Sequence, residues 1–465
     1  MLKRRTLLKA AGQGTLLSAL PTLYAQTEQA ETDVQFLKRD DDAFDRHQKL
    51  FNKRIERYPK IIAVCETELG VQQTVQYAHE HHLPISIKSG GHCFEGFSLN
   101  DDGLVIDLSK MNQLMLTSDN QLIAEPAVRL KQLYGYCLPK GRLLPVGSCG
   151  TVGLAGLVLG GGYGLFSRQF GLTCDHLTGV RMVTVEGKVV DSDAFPDLLW
   201  GCRGGGNGNF GVITQFRFDT AAAPETLHQH RFQSFELTPK KAVELAKFWF
   251  EQCDDLPQYA FSAFVLNGKT LTVMLTATEH DEKMVEILEQ FNQTMGKNAE
   301  LKPDPIDIGV KYYYGRDDPM YFKNISAGYY QGFDDLDDCL EQLFTQVAGT
   351  PGMIFQINTL GGEINNPARI KDSAYPHRNA NYLGEAQCYW EKPEHAARSM
   401  GGMKAIQGIL YENNIRQHYV NYPDLNIKNH TTAYYGDSYE RLQKLKRMWD
   451  PDNCFSYAQG VREGT

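Results

Sequence analysis

His92 closes the run Lys88-Ser89-Gly90-Gly91-His92, where two glycines leave an imidazole with little around it to shield it. Cys149 sits in a similar setting, Gly147-Ser148-Cys149-Gly150-Thr151-Val152-Gly153. An imidazole and a thiolate can each carry a covalent bond to a bound group. Taken singly, the histidine reads equally as a turn residue and the cysteine as a small buried hydrophobe. Behind Cys149 comes Leu159-Gly160-Gly161-Gly162-Tyr163-Gly164, whose peptide N–H groups, free of side chains, can converge on a pyrophosphate. The run lacks the third-glycine spacing and the later acidic residue of the Rossmann fingerprint, so alone it also suits a glycine-rich turn. Near the end, Tyr419-Val420-Asn421-Tyr422-Pro423-Asp424 brings two tyrosines together, which on their own read as core aromatics.

The elements that must position these groups follow from periodicity. Val71, Val75 and Ala78 fall at helical spacing, and Pro84 then starts a strand in which Ile85 and Ile87 alternate with Ser86 and Lys88. Leu104 to Leu108 is a second short strand, and Val180 to Val190 reads as a hairpin turning at Glu186-Gly187. After Thr220-Ala221-Ala222-Ala223-Pro224 the texture changes. Phe261 to Leu266, Asn267-Gly268 and Leu271 to Leu275 form a hairpin, while Val243, Ala246, Phe250 and Met284, Ile287, Leu288, Phe291 mark amphipathic helices. A further strand covers Tyr382 to Trp390. Glu385 and Gln387 lie at odd offsets from Trp390 and so share the opposite face. Residues 26–55 read as a polar, packed lead-in. The fold class expected is α+β, with glycine loops at strand ends in a first domain and a helix-covered antiparallel sheet in a second.

Five stretches taken together resemble the berberine bridge enzyme-like branch of the vanillyl-alcohol oxidase/PCMH flavoprotein superfamily. They are 89–96, 147–175, 203–212, 376–390 and 419–455, in the family's order. The resemblance implies a PCMH-type FAD-binding domain over 56–222, a substrate-binding domain over 223–400, and a segment, 401–465, that returns to the first. It implies that FAD is held covalently, His92 to the flavin 8α methyl and Cys149 to ring carbon C6. It puts Ser89, Gly90, Gly91, Gly153, Gly160, Gly162 and Gly164 against the pyrophosphate, with Val212 and Asn453 as further FAD contacts.

The same resemblance makes Tyr422, with Tyr163, the group that takes a substrate proton while a hydride leaves for flavin N5. An ordinary phenol has a pKa near ~10, so help from a cation or from the flavin is expected. Glu385 is the favoured polar partner or auxiliary base. Val152 matches the position that gates oxygen, and a small branched residue there resembles the oxidases. The activity implied is oxidation of an alcohol or sugar C–H(OH), with oxygen reduced to hydrogen peroxide. A dehydrogenase using a quinone or protein acceptor, and a non-catalytic flavin-binding protein, are the alternatives. Two departures stand out: Leu157 replaces a histidine common in relatives, and Phe94 replaces a tyrosine of the plant members.

Bulk properties narrow the partners. Lys3-Arg4-Arg5 before a modest apolar stretch resembles a twin-arginine signal cleaved after Ala25, implying export to the periplasm or medium by the twin-arginine machinery. Removing residues 1–25 takes away Lys3, Arg4, Arg5 and Lys9 and no acid, so the net charge of −9 becomes −13. Such acidity leaves no electrostatic footprint for nucleic acid or anionic membrane, and no segment is long and apolar enough to span a bilayer. The ten cysteines show no CxxC spacing, and no metal site is expected. His228-Gln229-His230 is read as solvent-facing structure.

Overall fold

The computed structural model describes residues 33–296 and 303–463. The signal reading over 1–25 lies outside them. Three sheets organise the chain. The first joins β1 (Val34–Leu37), β2 (Ile61–Cys65), β3 (Ile85–Lys88) and β4 (Leu104–Asp107) in the order β1-β2-β4-β3. Its central pairings, β2 with β4 and β3 with β4, are parallel. Parallel neighbours need a crossover, and the helix Glu68–Glu80 supplies it, burying Val71, Val75 and Ala78. Thr67 caps that helix by accepting from the Gly70 N–H. The lead-in contributes more than packing, because β1 adds an antiparallel edge to β2.

The second sheet joins β5 (Leu114–Leu116), β6 (Gln121–Ala124), β7 (Leu177–Val183), β8 (Val189–Asp191) and β9 (Val212–Asp219) in the order β5-β6-β9-β7-β8. The expected hairpin is present as β7 and β8, with Gly187 at φ +72° in its turn.

The third sheet has seven strands. An edge pair, Asp304–Pro305, is followed by β10 (Thr226–Ser234), β12 (Thr270–Ala277), β11 (Ala260–Asn267), β14 (Met353–Thr359), β15 (Tyr382–Trp390) and β13 (Tyr321–Tyr330). Every pairing is antiparallel. The period-two pattern gives this sheet two unlike faces. Phe355 and Ile357 of β14, with Ala386 and Cys388 of β15, enter an apolar core under the helices Pro239–Asp254, Asp337–Gly349 and Ala396–Glu412. Gln356, Asn358, Glu385 and Gln387 point the other way and line a cavity.

Buried polar ties hold this sheet to the first part of the chain. Arg168 donates to the carbonyls of Ala260 (2.8 Å), Leu256 (2.6 Å) and Leu360. Arg378, just before β15, pairs with Asp175 at 2.5 Å, both side chains being buried. The last described residues pack on the first part of the chain. Phe455 bridges to Ile85 of β3, and the Val461 N–H donates to Asn209 Oδ1 at 3.0 Å.

One expectation is corrected. His228 and His230 do not face solvent as a pair, because His230 is buried and both rings lie against His280, with centroids 5.2 and 6.1 Å away. All ten cysteines are free thiols. No helix among the described residues is long and apolar enough to cross a membrane.

Candidate active site

β3 delivers the His92 loop and is anchored beneath by a buried cluster. Asp107 of β4 accepts from His47 Nδ1 at 3.0 Å and from Lys88 Nζ at 3.2 Å. Burial alone would raise the Asp107 carboxyl, but His47, Lys88 and the Ser109 N–H outweigh it and hold it at about 2. Above this cluster the Phe51 N–H donates to the Gly91 carbonyl, and the Phe51 ring stacks on His92 with centroids 4.1 Å apart.

The Cys149 loop meets the His92 loop backbone to backbone. A Cβ on Gly90 would stand 2.5 Å from the Gly153 nitrogen, and one on Gly153 would stand 2.7 Å from Gly90 Cα. Only glycine permits that approach. It puts His92, Cys149, Ser89, Gly90, Gly91, Val152, Gly153 and Gly164 on one cavity of about 530 Å³, together with Tyr163, Tyr422 and Glu385. That volume lies within the roughly 300–1,000 Å³ of ligand and cofactor clefts. No lysine or arginine lines it among the described residues, so a diphosphate there would depend on backbone N–H groups. Asn207 Oδ1 and Asn324 Oδ1, on two of its lining residues, are buried without a protein partner. A large group with hydrogen-bonding edges fits this wall, and FAD, whose isoalloxazine is neutral and whose diphosphate would rest on backbone N–H groups, is such a group.

Four of the sequence-derived positions stand elsewhere. A Cβ on Gly160 would meet the Asn421 side chain, and one on Gly162 would lie 2.5 Å from Thr173 Oγ1. Those two glycines give space to protein side chains, while Gly164 lines the cavity. Val212 is fully buried in the apolar core between the first two sheets. Asn453 lines a small hollow with Ser456 and Tyr457, two residues that also line the large cavity.

Opposite His92, eight side chains form a closed hydrogen-bonded circuit. Tyr422 and Tyr163 share a 2.6 Å bond between their hydroxyls. Asn358 Nδ2 donates to Tyr163 Oη at 3.2 Å, and Gln356 Nε2 donates to Asn358 Oδ1 at 2.7 Å. Gln387 Nε2 donates to Gln356 Oε1 at 3.3 Å, and the Tyr389 hydroxyl donates to Gln387 Oε1 at 3.0 Å. Asn324 Nδ2 then donates to Tyr389 Oη (3.1 Å) and to Glu385 Oε1 (3.3 Å). Glu385 closes the circuit by accepting from Tyr422. Phe94 stacks on Tyr422, with centroids 5.3 Å apart and planes 14° from parallel. Asn324, Gln356, Asn358 and Tyr389 were not anticipated. Their signal was present in β14, where Gln356 and Asn358 alternate with Phe355 and Ile357.

The electrostatics follow from enclosure. Burial, with the charge of Arg129, lowers His92 to about 3, so its imidazole is neutral. Cys149 opens onto the cavity and is exposed by area, yet the concave wall disfavours its thiolate. Desolvation first and the Glu385 charge second push it up to about 11. Glu385 is the one Asp or Glu side chain on the wall among the described residues. Burial raises it to about 7 against hydrogen bonds from Gln387, Tyr422 and Asn324. Tyr163 and Tyr422 are raised well above the usual phenol range by burial and then by that carboxylate. Of the two expected sources of help, a cation or the flavin, the first is replaced by a carboxylate beside these phenols.

Comparison with known proteins agrees with this architecture. Residues 59–193 match the family model described as FAD binding domain, and 418–462 match the one described as berberine and berberine like. An uncharacterized FAD-linked oxidoreductase, YgaK of Bacillus subtilis, is 27% identical over 93% of this chain and 98% of its own. A chitooligosaccharide oxidase of Gibberella zeae is 28% identical, covering 89% of each chain. The solved structure of Physcomitrella patens BBE-like 1 superposes with a TM-score of 0.85 at 23% identity, covering 93% of this chain and 97% of that one. An FAD binding domain and a berberine-like segment in the right order, with FAD-linked relatives aligned nearly end to end, make this protein an FAD-linked oxidoreductase similar to the berberine bridge enzyme-like proteins.

Proposed function

We propose that the protein is an oxidase that holds FAD through both His92 and Cys149 and oxidises a carbinol C–H of a sugar or similar alcohol. The observation that carries this reading is the shared cavity: the phenol pair Tyr422–Tyr163 and the carboxyl of Glu385 line the same wall system as His92 and Cys149. Bound FAD would supply the acceptor for the substrate hydride and would return the electrons to oxygen as hydrogen peroxide. Each tether would replace one C–H of the flavin by a bond to nitrogen or sulfur, with the two hydrogens and two electrons leaving as oxygen becomes hydrogen peroxide.

The residues divide the remaining work. A neutral imidazole at His92 keeps the lone pair that bond formation needs. Tyr422, raised above the usual phenol range, is a poor free base, whereas Glu385 at about 7 is half ionised near neutrality. The substrate hydroxyl proton therefore passes to Tyr422 Oη as Tyr422 gives its own proton to Glu385. Tyr163 and Asn358 hold the Tyr422 hydroxyl in line. The amides of Gln356, Gln387 and Asn324 suit a substrate with several hydroxyls, in keeping with the relative named chitooligosaccharide oxidase. Val152 lines the cavity, and its small side chain supports the reading that oxygen would reach bound FAD past it. The twin-arginine-like start of the chain supports export, which N-terminal sequencing of protein from cell fractions tests.

The deciding experiment is acid precipitation of the purified protein followed by peptide mass mapping. Flavin retained by the pellet, on peptides containing His92 and Cys149, is the expected result, and colour lost to the supernatant refutes the tethers. A panel of sugars and alcohols with peroxide detection then separates an oxidase from a dehydrogenase, which would reduce added dyes and yield little peroxide.

A further inference from the structure

The two loops that carry His92 and Cys149 are joined by a third residue. Arg129 caps the helix Leu130–Cys137, and its backbone pairs with Gly153. The neighbouring Leu130 N–H donates to the Val152 carbonyl at 3.1 Å, so Arg129 is fixed to the Cys149 loop. From there one guanidinium nitrogen, Nη1, donates to two carbonyls at once: Gly90 on the His92 loop (2.6 Å) and Thr151 on the Cys149 loop (2.7 Å). The Thr151 carbonyl also accepts from the imidazole of His92. No carboxylate lies within ion-pair distance of Arg129 among the described residues, and Asp107 acts on it only as a more distant charge. A half-buried cation without an ion-pair partner, aimed at two backbone oxygens beside a reactive ring, is an uncommon use of arginine in a merely structural place.

We propose that Arg129 is a positioning residue for capture of the flavin by His92: it pins the Thr151 carbonyl so that this oxygen takes the proton of one imidazole nitrogen and leaves the other as the nucleophile. The inference rests on the tethered reading above and adds the residue that prepares one tether. The physics is that of a histidine whose tautomer is set by the partner of its second nitrogen. The charge of Arg129 acts in the same direction, since it opposes a proton on the nucleophilic nitrogen. Bond formation itself is balanced as for the other tether: a methyl C–H and an imidazole N–H give way to one C–N bond, and oxygen leaves as hydrogen peroxide.

The test uses the Cys149→Ala chain, in which His92 is the sole tether, with Arg129 kept or changed to Met or Lys. Three readouts are taken: total flavin in the native protein, flavin retained after acid precipitation with its mass on the His92 peptide, and the melting temperature. With Arg129 present, the flavin stays on the pellet. With Arg129→Met, native flavin and melting temperature are retained while the His92 adduct forms on the order of 10–100-fold more slowly, the usual penalty for removing a group that orients a reacting imidazole. Arg129→Lys, which keeps a cation able to reach the carbonyls, restores part of the rate. Unchanged attachment in the Met variant overturns the proposal, as does a Met variant that holds no flavin or does not fold while the Lys variant attaches no faster. Acid-labile flavin in Cys149→Ala with Arg129 intact is a different failure, which brings down the tether at His92 itself.

Discussion

Replacing Glu385 by Gln tests the proton path most directly, because it keeps the size of the side chain and removes the one Asp or Glu side chain on the cavity wall among the described residues. The wild-type group titrates at about 7. If the ionised form must receive the Tyr422 proton, activity falls as pH drops below that value and is level above it. One unit below, only about a tenth of the sites carry the charge, so kcat/KM near pH 6 should stand about tenfold under its plateau. Glu385→Gln should lower kcat by roughly 10²–10⁴-fold, the usual contribution of a positioned acid or base, and should erase the inflection near neutrality. KM should move far less, since Gln387 and Asn324 still offer their amides. The assay is anaerobic single-turnover bleaching with the best substrate of the panel, followed across pH, with peroxide yield measured in air. A variant that keeps more than a tenth of the wild-type rate and the same pH profile would show that Tyr422 works without the carboxylate.

Three further outcomes follow from the geometry. Tyr422→Phe should abolish turnover while leaving tethered flavin unchanged, whereas Tyr163→Phe, which removes the 2.6 Å bond to Tyr422 and the 3.2 Å bond from Asn358, should cost about 2–12-fold in kcat through the bond to Tyr422; equal losses would deny the ordering of the two phenols. Gly153→Ala forces a Cβ within 2.7 Å of the Gly90 backbone and should lower stability by about 1–3 kcal/mol in thermal melts, with less acid-stable flavin; an unchanged melt would contradict the contact. His377 and His418 are held neutral by burial at about 3 and about 4, against an ordinary 6.5. The unfolded chain therefore binds more protons below 6.5, so their contribution to stability is full above that pH and drains away as pH falls toward about 4. Urea midpoints should drop between pH 7.5 and pH 5, and a flat midpoint would mean that these rings find partners when charged.

Much of this was legible in the chain because it is local. Alternation in Ile85–Lys88 and in the hairpin around Asn267-Gly268 gave their strands, since a strand with one buried face repeats every two residues whatever surrounds it. His92 and Cys149 stood out for a similar reason: glycines beside a nucleophile leave a mark in a few consecutive residues. What fills the space a glycine opens is not local. The side chains of Asn421, far along the chain, and of Thr173 stand where a Cβ on Gly160 or Gly162 would lie.

The catalytic wall shows the same division more sharply. The family resemblance singled out a tyrosine at 422 and another at 163, and strand register put Glu385 and Gln387 on one face. That Asn324, Gln356, Asn358 and Tyr389 join them in a circuit depends on three strands of one sheet meeting two loops brought from elsewhere. Which group is the base was likewise undecidable beforehand. Proton affinity depends on how much water a fold removes and which charges it brings near, and folding put a carboxylate beside both phenols, where help from a cation or from the flavin had been expected. Sequence determined which reactive groups exist and which backbone can carry them; tertiary structure alone decided their neighbours, because desolvation and charge act through space and not along the chain.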